Sequence, residues 1–354
     1  MNETNDTYKF IIQVSVILVF IQSFNLLHHA CKGIYKYFIM KPKNILERYG
    51  GEGIWVVITG ASSGQGKDLA HGYAALGFNL LLIGSKRTDN TIAEINAEYP
   101  RVEAIAIYKD FRKAFEPDFF DDIQKEFTRL STKIAILVNN VGHRIGWDPY
   151  HEMNPEYIRD VIATGTIVQS RLTHMIIPIF LERKQQLVST NINNTTTSTS
   201  ALINITAQCM HPNFLFGVTM SNEISVPYLS VYEASNAFGF FQSNSIYKEY
   251  KDDFDILTIT PGAVLTENTE CLNKTLFCIP SKQFAQNILK MMGNVQGVTC
   301  AYWGHAVSNY LINIMPSCKD TILKKVGKTI ARDCMKKLIR KTETVGKCID
   351  KYSL

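Results

Sequence analysis

The sequence predicts an α/β fold, a single doubly wound parallel sheet, from three observations. Short apolar runs alternate with helix-like segments from Ile54 onward. The run Ile54-Trp55-Val56-Val57-Ile58 passes directly into Thr59-Gly60-Ala61-Ser62-Ser63-Gly64-Gln65-Gly66, and a second run, Ile134 to Val138, ends in Asn139-Asn140-Val141-Gly142. Unbroken apolar strands suit a sheet covered on both faces. Gly60, Gly64 and Gly66 remove Cβ atoms where the chain must turn tightly, and the helix expected from about Lys67 points its N-terminus at that turn. Free N–H groups and the positive end of the helix dipole make the turn an anion site suited to a pyrophosphate.

Composition sets the bounds. A chain of 354 residues with 46% hydrophobic and 19% charged residues and a net charge of +5 can bury a substantial core and needs no nucleic-acid partner. Its 8 cysteines form no CxxC pair and no metal-ligand spacing, so they read as mostly free thiols in a reducing compartment, with no metal expected. Cys271 and Cys278 are spaced to bridge a loop as an alternative.

Tyr8 to Leu27 is a mostly apolar run long enough to span a hydrocarbon core as a helix. It lacks the basic start and cleavage site of a signal peptide, which favours an uncleaved anchor. His28, His29, Lys32, Lys36, Lys41 and Lys43 follow it, so the positive-inside rule puts the folded domain on the cytoplasmic or matrix side. An interfacial helix is the alternative, and the polar residues within the run equally suit a neighbouring membrane helix.

The spacing Thr59-Gly-x-x-x-Gly-x-Gly66 followed by Asn139-Asn140-x-Gly142 resembles the short-chain dehydrogenase/reductase superfamily, and most closely its membrane-bound 3-oxoacyl-CoA reductase and 17β-hydroxysteroid dehydrogenase branch. The likeness runs from about Gly51 to Ala301-Tyr302-Trp303-Gly304-His305-Ala306. It implies a Rossmann-type domain and cofactor contacts at Thr59, Gly60, Ser62, Ser63, Gly64, Gln65 and Gly66. Strand Phe78 to Ile83 ends in Gly84-Ser85-Lys86-Arg87, with no acid to hold ribose hydroxyls and two cations for a 2′-phosphate. NADP(H) is therefore expected over NAD(H), unless these are merely solvated charges at a helix start. The resemblance adds Asp110 beside the adenine, Asn139, Val141 and Gly142 along the adenine-ribose end, and a carboxamide-gripping loop with Pro261, Gly262, Val264 and Thr266.

The catalytic constellation is expected to be degenerate. A relative with activity uses an Asn, a Ser and a Tyr-x-x-x-Lys helix: tyrosine transfers the proton, lysine lowers its pKa, serine polarises the carbonyl and asparagine holds a relay water. Here Tyr232 keeps the tyrosine, while Asn236, Ala207 and Gly165 stand at the Lys, Ser and Asn positions. Strand alternation is expected to turn Thr206 to the other face, and counting back without a gap reaches Thr219 instead. A literal Tyr247-x-x-x-Lys251 lies about 22 Å along the same helix, too far to serve.

Helix Pro155 to Arg183 is expected to form the far wall, on the side where such proteins dimerise. Residues 185–200 read as an exposed insertion, disordered or partner-bound, and residues 209–227 as a second insertion carrying apolar bulk. The helix Lys282 to Met292 and the segment Ala301 to Pro316 resemble the branch's substrate-side cap. Lys319 to Lys351 alternates cations with apolar residues at helical spacing, suited to an anionic membrane, a partner, or packing on the domain. The expected organisation is an anchor at 1–45, the dehydrogenase-like domain at 46–316 and a basic tail at 317–354. The expected role is a membrane-associated, NADP(H)-binding accessory subunit or homodimer. An active 3-oxoacyl-CoA or hydroxysteroid reductase with an acyl or steroid ligand is the alternative. The resemblance points to the endoplasmic reticulum, with the mitochondrial inner membrane as the other candidate.

Overall fold

The structure is a computed structural model that describes residues 2–143, 145–146, 148–189, 200–207, 228–266, 269, 274–314, 321, 325 and 329. Two compact units are present. The first contains Met1–Lys41; the second begins at Pro42.

In the first unit, helix α1 (Asn2–Ile34) runs into one π-helical turn, Tyr35–Ile39. No proline interrupts it, and Phe10, Val16, Phe20, Phe24 and Leu27 are all exposed. By length and composition it can cross a bilayer.

The second unit opens with the short helix α2 (Ile45–Arg48), whose Asn44 cap accepts from Glu47 N at 3.2 Å. The chain then alternates β1 (Trp55–Thr59), α3 (Gly64–Ala75), β2 (Asn79–Gly84), α4 (Thr88–Glu98), β3 (Ala104–Tyr108), α5 (Asp121–Leu130) and β4 (Ile134–Asn139). After β4 come α6 (Pro155–Ile162), a π-helical turn (Ala163–Ile167) and α7 (Val168–Ser189). The second half holds β5 (Ala201–Ile205), α8 (Ser230–Tyr250), β6 (Asp255–Ile259), β7 (Ala263–Leu265), β8 (Cys278–Pro280), α9 (Ser281–Met291), β9 (Gly297–Thr299) and α10 (Trp303–Ile314).

Seven strands form one wholly parallel sheet in the order β3-β2-β1-β4-β5-β6-β9, with β7 and β8 paired apart from it. Alternation along each strand splits the apolar residues between the two faces. Trp55, Val57, Leu81, Ile83, Leu137, Leu202 and Ile256 share one core with Phe127 of α5 and Leu172, Ile176 and Phe180 of α7. Helix α3 packs beside α4 and α9. Because β1 leads outward to β2 on one side and β4 lies on the other, a crevice opens at the carboxyl ends of these two strands.

Several expectations are corrected. The first helix begins at Gly64, three residues before Lys67, so Gly66 belongs to it. The predicted helix from Pro155 to Arg183 is broken by the π-helical turn, where Thr164 Oγ1 donates to Asp160 O (2.8 Å) and Thr166 Oγ1 to Ile162 O (2.5 Å). Hydroxyls that bond back to the preceding turn loosen the regular ladder. Residues Gln185–Ser189 form the last turn of α7, mostly exposed but helical, and Ser200 is fully buried, so the insertion's two ends are ordered. The rest of that insertion, residues 209–227 with Thr219, and nearly all of the tail lie outside the described residues. Cys278 is a buried free thiol, so it is not bridged.

Candidate functional site

A cleft of about 930 Å³ occupies the crevice at the strand ends, within the size range of small-molecule sites. Its floor is the β1–α3 turn. Gly60 (φ +71°) and Gly64 (φ +57°) adopt left-handed backbone that other residues rarely adopt. A Cβ on Gly66 would lie 2.4 Å from Gly60 O and 2.5 Å from Asn140 Nδ2, so glycine is what lets α3 dock on the turn. Gly60, Ser62, Ser63, Gly64 and Gln65 all line the cleft, and Gln65 Oε1 is buried with no protein partner among the described residues.

Thr59 and Asn139, expected at the cofactor, face elsewhere, as does Gly66. The Thr59 hydroxyl accepts from Asn140 N and Val141 N, both at 3.0 Å, and donates to Val138 O at 3.3 Å. Asn140 Nδ2 returns a bond to Thr59 O at 2.9 Å. Together these ties clamp the ends of β1 and β4. Asn139 is buried and donates to Asn204 Oδ1 (2.8 Å) and Thr173 Oγ1 (3.0 Å). Asn204 passes the chain to Ser243 (2.8 Å), and Ser243 to Thr258 (2.6 Å). This internal network ties β4, β5, β6, α7 and α8 together, with Asn139 Oδ1 buried and without a hydrogen-bond partner among the described residues.

The β2–β3 end of the cleft is cationic. Ser85, Lys86 and Arg87 line it, exposed. Asp110 lines it too, but Arg112 grips both carboxylate oxygens (Nε–Oδ1 2.8 Å, Nη2–Oδ2 2.6 Å). The Arg112 guanidinium holds that carboxyl below the usual range. Lys109, paired with Asp122 at 3.2 Å, and Tyr108 complete this end. Neither Arg112 nor Tyr108 was singled out from the sequence; the signal available was the Asp-x-Arg spacing after a strand.

Val141, Gly142, Pro261, Gly262, Val264 and Thr266 line the cleft as expected, and so do Tyr232, Asn236, Ala207 and Gly165. The structure thus brings Tyr232, Asn236, Ala207 and Gly165 together. Tyr232 and Asn236 stand one turn apart on α8, where Asn236 Nδ2 donates to Tyr232 O at 2.9 Å and Ser235 Oγ to the same carbonyl at 2.8 Å. A Cβ on Gly165 would meet Ser235 Oγ at 2.9 Å, so the π-helical turn before α7 and helix α8 approach closely at this position. Thr206 lines the cleft, contrary to expectation, because β5 has ended at Ile205 and strand alternation no longer applies; its hydroxyl donates to Ile259 O at 3.2 Å. The cations lining the cleft, among the described residues, are Lys86, Arg87, Lys109 and Arg112, all on the β2–β3 side. Lys251 caps the far end of α8. His143, missed in the sequence, also lines the cleft with its ring edge-on to Tyr157 (5.2 Å).

A parallel doubly wound sheet with a glycine turn at its switch point defines a dinucleotide-binding α/β protein. The short chain dehydrogenase family model matches residues 54–204. Very-long-chain 3-oxoacyl-CoA reductase of Phaeosphaeria nodorum is 25% identical over 318 residues, spanning 86% of this chain and 84% of the relative. The reductase of the same name from Yarrowia lipolytica is 26% identical over 317 residues, spanning 84% and 76%. Among solved structures, a short-chain dehydrogenase from Sphingobium yanoikuyae in complex with NADPH shares the fold with a TM-score of 0.54 at 21% identity, covering 75% of this chain and 97% of that one. A 7β-hydroxysteroid dehydrogenase does so with a TM-score of 0.60 at 16% identity, covering 82% and 98%. By these likenesses the chain resembles the short-chain dehydrogenase/reductase family, most directly over residues 54–204.

Proposed function

We propose that this chain is a catalytically degenerate, NADP(H)-binding short-chain dehydrogenase that serves as an accessory subunit of a membrane-associated assembly. The observation that carries the reading is Asn236: one turn beyond Tyr232, where a cation is needed, stands an uncharged amide bonded to the Tyr232 carbonyl. A phenol is a poor proton donor or acceptor at neutral pH without a nearby cation, and losing such a relay costs about 10²- to 10⁴-fold in rate. Gly165 and Ala207 have no polar side chain to offer a substrate carbonyl.

The cofactor end supports binding. The glycine turn and the first N–H groups of α3 fit a pyrophosphate, and Lys86 and Arg87 fit a 2′-phosphate. NADP(H), when bound, supplies or accepts hydride. Tyr232 and the Pro261–Thr266 loop would lie along its nicotinamide half, where this chain's residues orient it and exclude water without moving a proton. Binding of NADPH by the purified chain, with no reduction of 3-oxoacyl-CoA or oxosteroid, is the test.

A second reading is favoured by the relatives' names: an active NADPH-dependent 3-oxoacyl-CoA or hydroxysteroid reductase. It requires Tyr232 to work with a cation other than a residue at 236. The exposed apolar helix α1 supports a membrane location under either reading; the reductase relatives favour the endoplasmic reticulum, and the mitochondrial inner membrane suits an accessory subunit.

A further inference from the structure

Ala263, Val264 and Thr266 line the cleft, but β7 lies outside the seven-stranded sheet and, among the described residues, pairs with β8 alone. A two-stranded pair is marginal by itself, so its position depends on what packs against it. His305 of α10 is fully buried, and its Nε2 stands 3.1 Å from Ala263 O. A carbonyl only accepts, so Nε2 donates there. The same ring bonds the main chain at Phe277, beside β8, and at Cys300, beyond β9. Tyr302, edge-on to the imidazole at 5.1 Å, donates to Leu276 O at 3.1 Å. Two backbone features bring α10 this close. Ala301 turns the chain into it with φ +54°, costly for a residue other than glycine, and a Cβ on Gly304 would lie 2.6 Å from Leu276 O.

We propose that His305 is a positioning residue for the nicotinamide half of NADP(H). Through Ala263 O it fixes the β7 loop, whose cleft-facing side takes the nicotinamide ring, while the glycine turn and the β2–β3 cations hold the adenine half independently. The imidazole is not part of the cleft wall and acts through one backbone oxygen. A loop already in place gives a ligand its full contact energy, whereas ordering it on binding costs affinity. Losing the tie therefore weakens the nicotinamide half alone. The assignment rests on the reading of the cleft as an NADP(H) site and names a residue that sets affinity there.

The test titrates the full-length chain with NADPH and with 2′-phospho-ADP-ribose, which lacks only the nicotinamide ring. His305→Gln keeps an N–H donor within reach of Ala263 O; His305→Asn keeps the amide but draws it back by one methylene. His305→Asn is expected to weaken NADPH by about 5- to 10-fold, the worth of one hydrogen bond, with the fragment unchanged and His305→Gln near wild type. Asp255→Asn, at the first residue of β6 on the far end of the sheet, is the control that lowers stability without moving the ratio of the two affinities. In the unmodified chain NADPH, and not the fragment, should slow amide exchange across β7 and the start of α10, a readout that stands even where a variant fails to fold. Four results overturn the positioning role and leave NADP(H) binding intact: parallel losses for both ligands in His305→Asn, equal losses in His305→Asn and His305→Gln, equal wild-type affinities for the two ligands, or the same exchange pattern with each. A wild-type chain that binds neither ligand overturns both.

Discussion

The side-chain amide of Asn236 donates to the main-chain carbonyl of Tyr232, four residues back on α8, at 2.9 Å. That bond turns the amide onto its own helix. Ser235 Oγ donates to the same carbonyl at 2.8 Å, and Tyr232 itself lines the cleft.

Gly66→Ala should be severely disruptive although it adds a single methyl group. Its Cβ would meet the Gly60 carbonyl and the Asn140 amide, both held by the β1–β4 clamp, so neither can yield easily. A cost of about 1–3 kcal/mol and loss of NADPH binding are expected, read by thermal melting and titration calorimetry. Near-wild-type binding in the variant would show that the clamp gives way.

The turn itself was legible in the sequence because its chemistry is local: glycine spacing and an apolar strand sit within one short stretch. Thr59 and Asn139 were not, since their partners lie far along the chain, at 140–141 for the first and at 173 and 204 for the second. Only the parallel register that sets β4 beside β1 and β5 brings those groups together. The π-helical turn at Ala163–Ile167 escaped for a similar reason. An apolar period reads through it, and only the Thr164 and Thr166 bonds mark the break.

Replacing both cations at the β2 end, Lys86→Glu with Arg87→Ala, should weaken NADPH by about 10- to 100-fold, the worth of one or two charge-assisted bonds, and leave NADH nearly unchanged. Side-by-side titration of the two nucleotides checks it. Equal losses for both would mean that the cations do not read a 2′-phosphate.

Asp255 and Arg48 form a mostly buried ion pair (2.9 Å), and Tyr49 Oη and Gln296 Nε2 also donate to the carboxylate, at 2.8 and 2.7 Å. Asp255→Ala strands the guanidinium and leaves two donors unpaired, so a loss of about 3–5 kcal/mol is expected in chemical denaturation. Asp255→Asn, which keeps an acceptor oxygen, should lose less. Equal losses would assign the cost to packing.

Stability should also fall with acid through His305. Its ring is fully buried, with Nε2 3.1 Å from Ala263 O, and burial holds the imidazole below its usual value. The unfolded chain takes up that proton near pH 6.5, the folded chain only at lower pH. Between the two the unfolded state binds more protons. This contribution is therefore flat above about pH 6.5 and destabilising as pH falls, by up to about 1.4 kcal/mol per pH unit. Melting temperatures of wild type and His305→Gln from pH 8 to 5 should converge as pH drops; parallel curves would assign the acid loss to other groups.

The most direct measurement of the central claim is NADPH oxidation by the purified full-length chain given a long-chain 3-oxoacyl-CoA or an oxosteroid, with nucleotide binding verified in the same sample. The account predicts bound NADPH and no turnover above background. Asn236→Lys with Ala207→Ser and Gly165→Asn should recover some activity once Ser235 rotates away from position 165. Robust turnover by the unmodified chain, lost in Tyr232→Phe, would contradict it and establish the active-reductase reading instead.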